Sequence, residues 1–284
     1  MSVDVEDWFQ VGAFERVIDR ADWDRLAPRV ERNTDAVLGL FAHAGVKATF
    51  FTLGWVAERN PALMRRIVGA GHELASHGWD HRRVFTMTAA EFRADLSKAR
   101  QALEDASGVA VTGYRAPSFS IDRRTPWAHA ELAEAGYAYS SSVAPLRHDH
   151  YGWPESPRWA WRPLPDAVLV ELPVTVAQLG PRRIATGGGF FRLFPAALTD
   201  VAVRQAERAR HPAVFYFHPW EIDPGQPRVG HAPLKSKLRH YSRLGAMSAK
   251  LTKLLERHDW ERIDALAAAS RPASSPVMLA EAHT

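Results

Sequence analysis

The sequence contains no cysteine among its 284 residues. Disulfide bonds, thiolate zinc sites and cysteine nucleophiles are therefore excluded. Any metal ion that the protein binds must be held by nitrogen and oxygen ligands, which leaves histidine and the carboxylates as the main donors. The absence of cysteine thus directs the search for chemistry to places where these side chains occur together.

Long apolar runs are also missing. No stretch of 18 or more apolar residues occurs, so we expect no transmembrane helix and no stable membrane insertion. The chain opens directly on the acidic stretch 2–7, without the charged and apolar regions of a signal peptide. We therefore expect a cytoplasmic protein. A periplasmic or envelope-associated location is the alternative if the N-terminus was trimmed.

Neither sign of charge dominates. The 36 basic and 32 acidic residues leave a net charge of +4, and the arginines are scattered rather than gathered into a basic stripe. We therefore expect no nucleic-acid partner. The small positive charge fits an acidic polymer as substrate, and the sequence does not determine the oligomeric state.

The residues that are present suit one large soluble domain. A chain of 284 residues with 46% hydrophobic residues can bury the core of an α/β barrel. Ten tryptophans are a high count, and aromatic faces stack on sugar rings, although a single tryptophan is more simply a core residue. The tryptophans that lie near polar clusters are Trp8, Trp79, Trp153 and Trp220.

Strand-like and helix-like segments alternate along the chain. Short buried strands are predicted at residues 2–5, 47–53, 72–76, 109–114, 137–140 and 213–217. Helices are predicted from a cap at Asn33 or Thr34 to Gly45, and at 62–70, 88–106, 126–135, 198–210 and 235–257. This alternation predicts an α/β fold with a parallel sheet and right-handed crossovers.

Polar residues follow several of the predicted strands. The acidic stretch 4–7 follows the first strand, and His77, Arg115 and His218 follow later ones. In parallel α/β folds the site forms at the carboxyl ends of the strands. The pattern therefore predicts that these side chains meet at one end of the sheet.

His77 and His81 form a candidate pair of metal ligands. If the chain enters a helix at His77, a spacing of four residues places both rings on the same face. Such a pair alone is a weak signal. Together with a carboxylate from Asp4, Glu6 or Asp7, it becomes the ligand set of a catalytic divalent site that keeps one position open for water.

The third ligand is open between two acids. In an extended strand, Glu6 shares a face with Asp4, whereas Asp7 points away unless the chain turns. A turn at the end of the strand would bring Asp7 in instead. Glu6 is slightly favoured, and both remain candidates.

Five motifs in order resemble carbohydrate esterase family 4, the NodB-homology polysaccharide deacetylases. They are Asp4-Val-Glu-Asp7, His77-Gly-Trp-Asp-His81, Arg115-Ala-Pro117, Tyr137-Ala-Tyr-Ser-Ser-Ser and Phe217-His218-Pro219-Trp220. The first eight residues after Ser2, with His218-Pro-Trp-Glu-Ile-Asp-Pro, are most similar to a branch linked to exosortase-associated exopolysaccharide loci. The resemblance covers residues 1–260 and is specific as an ordered set.

The resemblance implies a fold, a cofactor and a substrate class. The expected fold is a distorted (β/α) barrel of about seven strands. The expected cofactor is one divalent metal ion, zinc in the first place, with cobalt, manganese or nickel as alternatives. The expected reaction removes N-acetyl groups from an amino-sugar polymer, so the expected partner is an N-acetylated glycan.

The resemblance also implies a domain organisation. We expect a single deacetylase domain at residues 1–268, in which 146–260 contains branch-specific loops and a C-terminal extension. Residues 269–284 are rich in alanine, serine and proline and are predicted to be a disordered tail.

Catalytic roles follow from the chemistry of amide hydrolysis, which needs an activated water and a protonated leaving amine. Asp4 is the expected general base and His218 the expected general acid. Arg115 would pair with Asp4, fixing its orientation and keeping it ionised. His77 and His81, with Glu6 or Asp7, would hold the metal ion.

Further residues are expected at the substrate. The candidates are Trp79, Pro117, Tyr139, His150, Arg192 and Trp220. Backbone amides of residues 139–142 are expected to help bind the oxyanion, as the family implies. The glycine run 187–189 lacks the following Lys-Ser/Thr of a phosphate loop, so we expect it to let the backbone approach the sugar.

One departure from the family concerns the fourth motif. Ser140 stands where the family usually has an aspartate that helps to tune the acidic histidine or to orient the arginine. Asp149, Glu221 and Asp223 are the candidates to replace it. Two other functions stay open: a metal-dependent amidase acting on a small non-sugar substrate, and a glycan-binding module without catalysis.

Overall fold

The computed structural model describes residues 1–149 and 151–270. Its centre is a curled sheet of seven parallel strands in the order β6-β5-β4-β3-β2-β1-β9. The strands are β1 (Ser2–Val5), β2 (Thr49–Thr52), β3 (Glu73–Ser76), β4 (Gly113–Tyr114), β5 (Tyr139–Ser140), β6 (Val170–Glu171) and β9 (Tyr216–Phe217). A separate hairpin pairs β7 (Val176–Leu179) with β8 (Arg182–Ala185). The predicted fold class, a distorted barrel of about seven strands, is confirmed.

Helices cover the outside of this sheet. They are α1 (Val30–Ala44), α2 (Gly54–Arg59), α3 (Pro61–Gly69), α4 (Ala89–Ser107), α5 (Ala128–Glu134), α6 (Gly188–Leu193), α7 (Ala196–Arg208), α8 (Leu234–Tyr241), α9 (Met247–Leu255) and α10 (Ile263–Ala269). Short 3₁₀ turns lie at Arg20–Arg25, Val84–Thr86, Pro117–Phe119, Pro219–Ile222 and Leu244–Ala246.

The strands divide two hydrophobic clusters because successive side chains point to opposite faces. Val3 and Phe50 belong to the large core beneath the helices. Phe51, which pairs in register with Asp4, belongs to the cluster inside the curl of the sheet. Asp4 therefore lies on the inner face of β1, at the end of the barrel where the strands finish.

The two edges of the sheet approach each other. Just after β6, the Thr175 amide donates a hydrogen bond to the Val214 carbonyl at 3.0 Å. The Val214 amide, just before β9, donates to the Thr175 hydroxyl at 2.7 Å. These bonds link the segment after β6 to the start of β9, while β9, which carries His218 at its end, pairs with β1.

Several predicted boundaries are wrong in detail. Helix α1 begins at Val30 rather than at a cap on Asn33 or Thr34. The predicted helix 235–257 is interrupted between α8 and α9, where Arg243 has a φ of 57°. The predicted strand 109–114 shrinks to Gly113–Tyr114. By contrast, Thr88 forms the predicted cap of α4, with a full capping box.

In the part of the chain that the structure describes, no helix is long and apolar enough to cross a membrane. Helix α10 ends at Ala269, and Ser270 is its C-terminal cap. The rest of the predicted tail, residues 271–284, lies outside the described residues.

Candidate active site

Glu6, His77 and His81 come together at the carboxyl ends of β1 and β3. Their ligand atoms all lie within 4.8 Å of one another, and the three side chains are buried. Glu6 reaches this point because it continues the alternation of β1 and shares the inner face with Asp4. The arrangement is a candidate centre for one divalent ion.

The two histidines lie in a loop. The prediction that a helix places both rings on one face is therefore wrong, although the rings do converge. Strand β3 ends at Ser76, and a loop follows in which Gly78 has a φ of 75° and His81 a φ of 61°. Left-handed backbone at a histidine costs free energy and is found mostly where the surroundings impose it. The loop brings the two ring centroids to 5.6 Å.

The donor set fits a divalent ion. Glu6 Oε2 lies 2.8 Å from His81 Nε2, yet this buried oxygen accepts no hydrogen bond among the described residues. Two ligand atoms that point at a shared centre, rather than at each other, give this geometry. Nδ1 of His77 donates to the Arg115 carbonyl at 2.9 Å, which leaves Nε2 with a free electron pair, as in histidine-bound metals.

Electrostatics keep these ligands in the states that metal binding needs. Burial lowers the pKa of His77 to about 4, so its ring is neutral at pH 7. Burial alone would raise the pKa of Glu6, but the neighbouring His81 and His218 lower it to about 2. A neutral imidazole and an ionised carboxylate are the forms that bind Zn²⁺.

Asp7, the predicted alternative metal ligand, instead accepts hydrogen bonds at the start of helix α1. One of its oxygens accepts from the amides of Arg29 at 2.7 Å and Val30 at 3.0 Å, and the other from the Trp8 amide at 2.8 Å. Asp7 thus caps helix α1, which explains why that helix begins earlier than its own sequence indicates. Burial raises the pKa of Asp7 to about 6.

Asp4 and Arg115 form a buried ion pair. Nη1 of Arg115 donates to Asp4 Oδ1 at 2.6 Å and to the Ser2 hydroxyl at 2.8 Å. Its other nitrogens donate to the carbonyl and the hydroxyl of Ser141 at 3.0 and 2.9 Å. The fully buried guanidinium therefore fixes one oxygen of Asp4 and leaves the second directed to the site.

His218 closes the other side of the site. Its Nε2 lies 3.6 Å from Glu6 Oε1 and 4.0 Å from Asp4 Oδ2, and its side chain is 18% exposed, more than the three candidate ligands. Burial alone would lower its pKa, but the charges of Glu6 and then Glu221 raise it to about 9. The imidazole is therefore protonated at neutral pH.

Of the three candidates to replace the aspartate of the fourth motif, Glu221 is the one that contacts His218. Nδ1 of His218 donates to Glu221 Oε1 at 2.7 Å. The other two candidates are used elsewhere: Asp149 pairs with Lys235 and Arg239, and Asp223 pairs with Arg29. Glu221 lies three residues after His218, within one 3₁₀ turn, and this spacing is the sequence feature that could have favoured it over the other two candidates.

Trp220 contacts the candidate ligand Glu6 and is shielded from solvent. Its indole Nε1 donates to Glu6 Oε1 at 3.1 Å, and its ring stacks on His218 at a centroid distance of 5.1 Å. The side chain is only 6% exposed. Trp220 therefore packs against Glu6 and His218 instead of facing a substrate as predicted.

Two other predicted substrate residues are buried away from any substrate. Tyr139 is 1% exposed, and its hydroxyl donates to Glu73 at 2.7 Å, at the start of β3 rather than its end. Arg192 is 1% exposed and forms an ion pair with Glu221. Both predictions are corrected, because a strand or helix residue that faces the core cannot reach a glycan.

Trp79 and Pro117 pack against other parts of the protein, and their predicted roles at the substrate stay predictions. The ring of Trp79 is covered by the ammonium of Lys98 at 3.5 Å and packs against Gly54 on α2. Pro117 is buried beside Gly78. His150 lies outside the described residues, so its predicted role stays a prediction.

The backbone amides predicted to bind the oxyanion already have partners. Those of Tyr139 and Ser141 donate to carbonyls of the neighbouring strand region, and that of Ser142 donates to Glu171 at 2.8 Å. The glycine run instead opens α6, and Gly187 lies where a Cβ would meet the Tyr216 ring at 2.5 Å. The structure therefore corrects the oxyanion prediction and assigns these glycines to close packing.

Fold and site together define an α/β-barrel protein of the NodB type. Residues 22–140 match the polysaccharide deacetylase family, and residues 141–268 match a domain family of unknown function, DUF3473. The first half of the chain thus carries a polysaccharide deacetylase domain, and a DUF3473 region follows it.

Similar proteins support this assignment. The chain is 33% identical over 91 residues to a peptidoglycan-N-acetylglucosamine deacetylase of Listeria monocytogenes, covering 32% of this chain and 20% of the relative. It is 34% identical over 107 residues to a peptidoglycan deacetylase of Helicobacter pylori, covering 38% of this chain and 36% of the relative. The chain therefore spans well under half the length of these relatives.

One solved structure covers nearly the whole chain. A Mycobacterium smegmatis protein assigned as a polysaccharide deacetylase superposes with a TM-score of 0.60 at 23% sequence identity. The match covers 96% of this chain and 91% of that one. At this identity the likeness shows the fold, which extends through the DUF3473 region.

Proposed function

We propose that this protein is a metal-dependent hydrolase that removes N-acetyl groups from an amino-sugar-containing polysaccharide or its precursor. The observation that carries the proposal is one cluster at the strand ends. Three buried metal-type ligands lie there beside a carboxylate held by Arg115 and a protonated histidine. Amide hydrolysis needs these same three functions.

His77, His81 and Glu6 would hold the metal ion. Once bound, a divalent ion would lower the pKa of water and polarise the acetyl carbonyl. Two imidazoles and one carboxylate suit zinc best, and cobalt, manganese or nickel accept the same donors. The fixed positions of Glu6, through Trp220, and of His77, through the Arg115 carbonyl, support a preformed site.

Asp4 serves as the general base. Its second oxygen lies 4.0 Å from His218 Nε2, and the ion pair with Arg115 prevents the carboxylate from turning away. In this position the carboxylate accepts the proton of the attacking water. Loss of a positioned base of this kind lowers turnover by roughly 10²–10⁴-fold.

His218 serves as the general acid. The attacking water forms the new C–O bond. The C–N bond then breaks, and the electron pair of the C–N bond passes to nitrogen. The Nε2 proton of His218 goes to that nitrogen, and the products are acetate and a free amine. The imidazole is charged for this task because carboxylates surround it.

The substrate class rests on the similar proteins. The Listeria and Helicobacter relatives are named as deacetylases of peptidoglycan, and the matches cover 20% and 36% of their lengths. We extend the substrate class, an N-acetylated glycan, to this protein. The link to exosortase-associated loci stays a prediction.

Acetate release tests the proposed function. Purified protein is incubated with N-acetylhexosamine oligomers and peptidoglycan fragments, with and without chelator, and zinc or cobalt is then added back. Release should stop with chelator and return with either metal. The double variant His77→Ala/His81→Ala should be inactive, while His43→Ala, at an exposed position on α1, should match the wild type.

Three outcomes would overturn the proposal. Activity that survives in the double histidine variant would remove the metal mechanism. Turnover of a small non-sugar amide without any acetylated glycan would favour the amidase alternative. Glycan binding that is unchanged by Asp4→Asn, with no turnover in any condition, would favour a binding module.

A further inference from the structure

We infer that the DUF3473 region supplies the acid half of the deacetylase site, with Glu221 and Arg192 as the residues that position His218. The inference rests on the proposed function. It assigns a role to residues 141–268, which match a family of unknown function, and to an ion pair that the five motifs leave unused.

Glu221 accepts two hydrogen bonds from His218. Its Oε1 accepts from the Nδ1–H of the ring at 2.7 Å and from the backbone amide of His218 at 3.2 Å. Both bonds form within the turn Pro219–Ile222, because a residue three positions on faces back to the start of such a turn. The ring is thereby fixed with Nε2 directed to Asp4 and Glu6.

Arg192 in turn holds Glu221. Its Nε donates to the other oxygen, Glu221 Oε2. Its terminal nitrogens donate to the carbonyls of Arg239, His240 and Ser242 at 2.9, 2.9 and 2.7 Å. All three nitrogens of the buried guanidinium donate hydrogen bonds. Arg192, on α6, is thus held by carbonyls at the end of α8 and fixes the position of the Glu221 carboxylate.

The charge of Arg192 also keeps Glu221 ionised. Burial alone would raise the pKa of Glu221, but the adjacent Arg192 and His218 lower it. An ionised partner on Nδ1 selects the orientation and the protonated form of the ring that an acid requires. The pair therefore acts on His218 without touching the substrate.

The same turn links the acid to the metal ligands. Between His218 and Glu221 stands Trp220, which donates to Glu6 and stacks on His240 at a centroid distance of 4.2 Å. Since β9 pairs directly with β1, the turn lies next to Asp4 and Glu6. We therefore propose that residues 1–268 form one domain, in which the DUF3473 region completes the barrel rather than adding a separate module.

The test compares two leaving groups. Glu221→Gln and His218→Gln are assayed on an N-acetylglucosamine oligomer, whose amine must be protonated, and on 4-nitrophenyl acetate, whose leaving group needs no proton. We expect kcat on the amide to fall by roughly 10²-fold or more, with KM little changed, and kcat on the ester to fall less than about fivefold. Glu256→Gln, at an exposed position, is the matched control.

Arg192→Lys tests the second positioning residue. It keeps the charge but loses the fork of donors, so we expect an amide-selective loss smaller than that of Glu221→Gln. Arg204→Lys, exposed on α7, is its control. Retained ester hydrolysis in each variant shows that the protein has folded and loaded its metal.

A readout independent of turnover completes the test. In metal-free protein labelled with ¹⁵N-histidine, the Nδ1 proton of His218 should give a downfield resonance that disappears in His218→Gln and moves upfield in Glu221→Gln. Equal losses on amide and ester, or an unchanged resonance in Glu221→Gln, would overturn the inference. If the wild type releases no acetate, the proposed function fails, while the resonance still tests the contact.

Discussion

Neighbouring side chains in this site have opposite tasks because of the direction in which each points. Glu6 lies on the inner face of the barrel with His77 and His81, whereas Asp7 points outward and caps α1. Both are buried carboxylates, yet the neighbouring His81 and His218 lower the pKa of Glu6 to about 2, and burial raises that of Asp7 to about 6. Role follows from the partners that each side chain meets.

Asp95 on α4 provides a prediction of pH dependence. Its carboxylate accepts from the Trp79 amide at 3.2 Å and so anchors the loop between the two histidines. Burial, followed by the charge of Asp80, raises its pKa from 3.8 to about 7. The folded protein therefore binds a proton at Asp95 that the unfolded chain releases, and the contribution of Asp95 to stability falls as pH rises from about 4 to about 7.

Asp95→Asn should remove this part of the pH dependence. We expect the free energy of unfolding of the wild type to lose roughly 1–4 kcal/mol more than that of Asp95→Asn between pH 4 and pH 7. Urea unfolding of both proteins across this range measures the difference. Asp105→Asn, exposed on the same helix, should follow the wild type, and parallel curves for all three proteins would contradict the prediction.

At the scale of elements, close approach between α2 and α4 supports the loop that carries His81. A Cβ at Gly54 would lie 2.6 Å from the ring of Trp79 and 2.9 Å from the Cα of Ala99. The amides of Gly54 and Trp55 also donate to the carbonyls of Gly78 and Trp79 at 2.9 and 3.0 Å. The start of α2 thus supports the loop that carries the candidate ligands His77 and His81.

Gly54→Ala should therefore destabilise the protein. We expect a loss of roughly 1–3 kcal/mol from overpacking, together with weaker zinc binding because the loop must move. Gly39→Ala is the matched control, since Gly39 lies inside α1 with nothing within 4 Å of the added Cβ, and it should stabilise by about 0.5–1 kcal/mol. Thermal unfolding of both variants measures the contrast; equal shifts would count against close packing at Gly54.

At the scale of the whole molecule, the metal would connect parts of the chain that are far apart in sequence. Glu6 follows the first strand and His77 and His81 follow the third, while Trp220, which orients Glu6, comes from the turn after the last. A ligand that binds only the folded state stabilises it in proportion to its occupancy. Zinc should therefore stabilise the complete barrel, not only the loop.

Zinc added to chelator-treated protein should raise Tm by about 5–10 °C at a large excess over its Kd. Glu6→Gln should reduce this shift strongly because the carboxylate ligand is lost. Asp7→Asn should lower the starting Tm, since the cap of α1 is weakened, but keep the zinc shift. Calorimetry with and without zinc measures both, and the reverse pattern would make Asp7 the ligand.

The sequence by itself determined the alternation of β1 to β5 with helices and the strand ends at which Asp4, His77, Arg115 and His218 stand, because these depend on local periodicity. The barrel class came from the resemblance of its motifs to a known family. Tertiary structure decided the rest. The loop geometry of His81, the assignment of Asp7 to α1 and the pairing of Arg192 with Glu221 all depend on contacts between distant segments. Local pattern carries no record of such contacts, so burial and hydrogen bonding had to assign Tyr139, Arg192 and Trp220 to the interior.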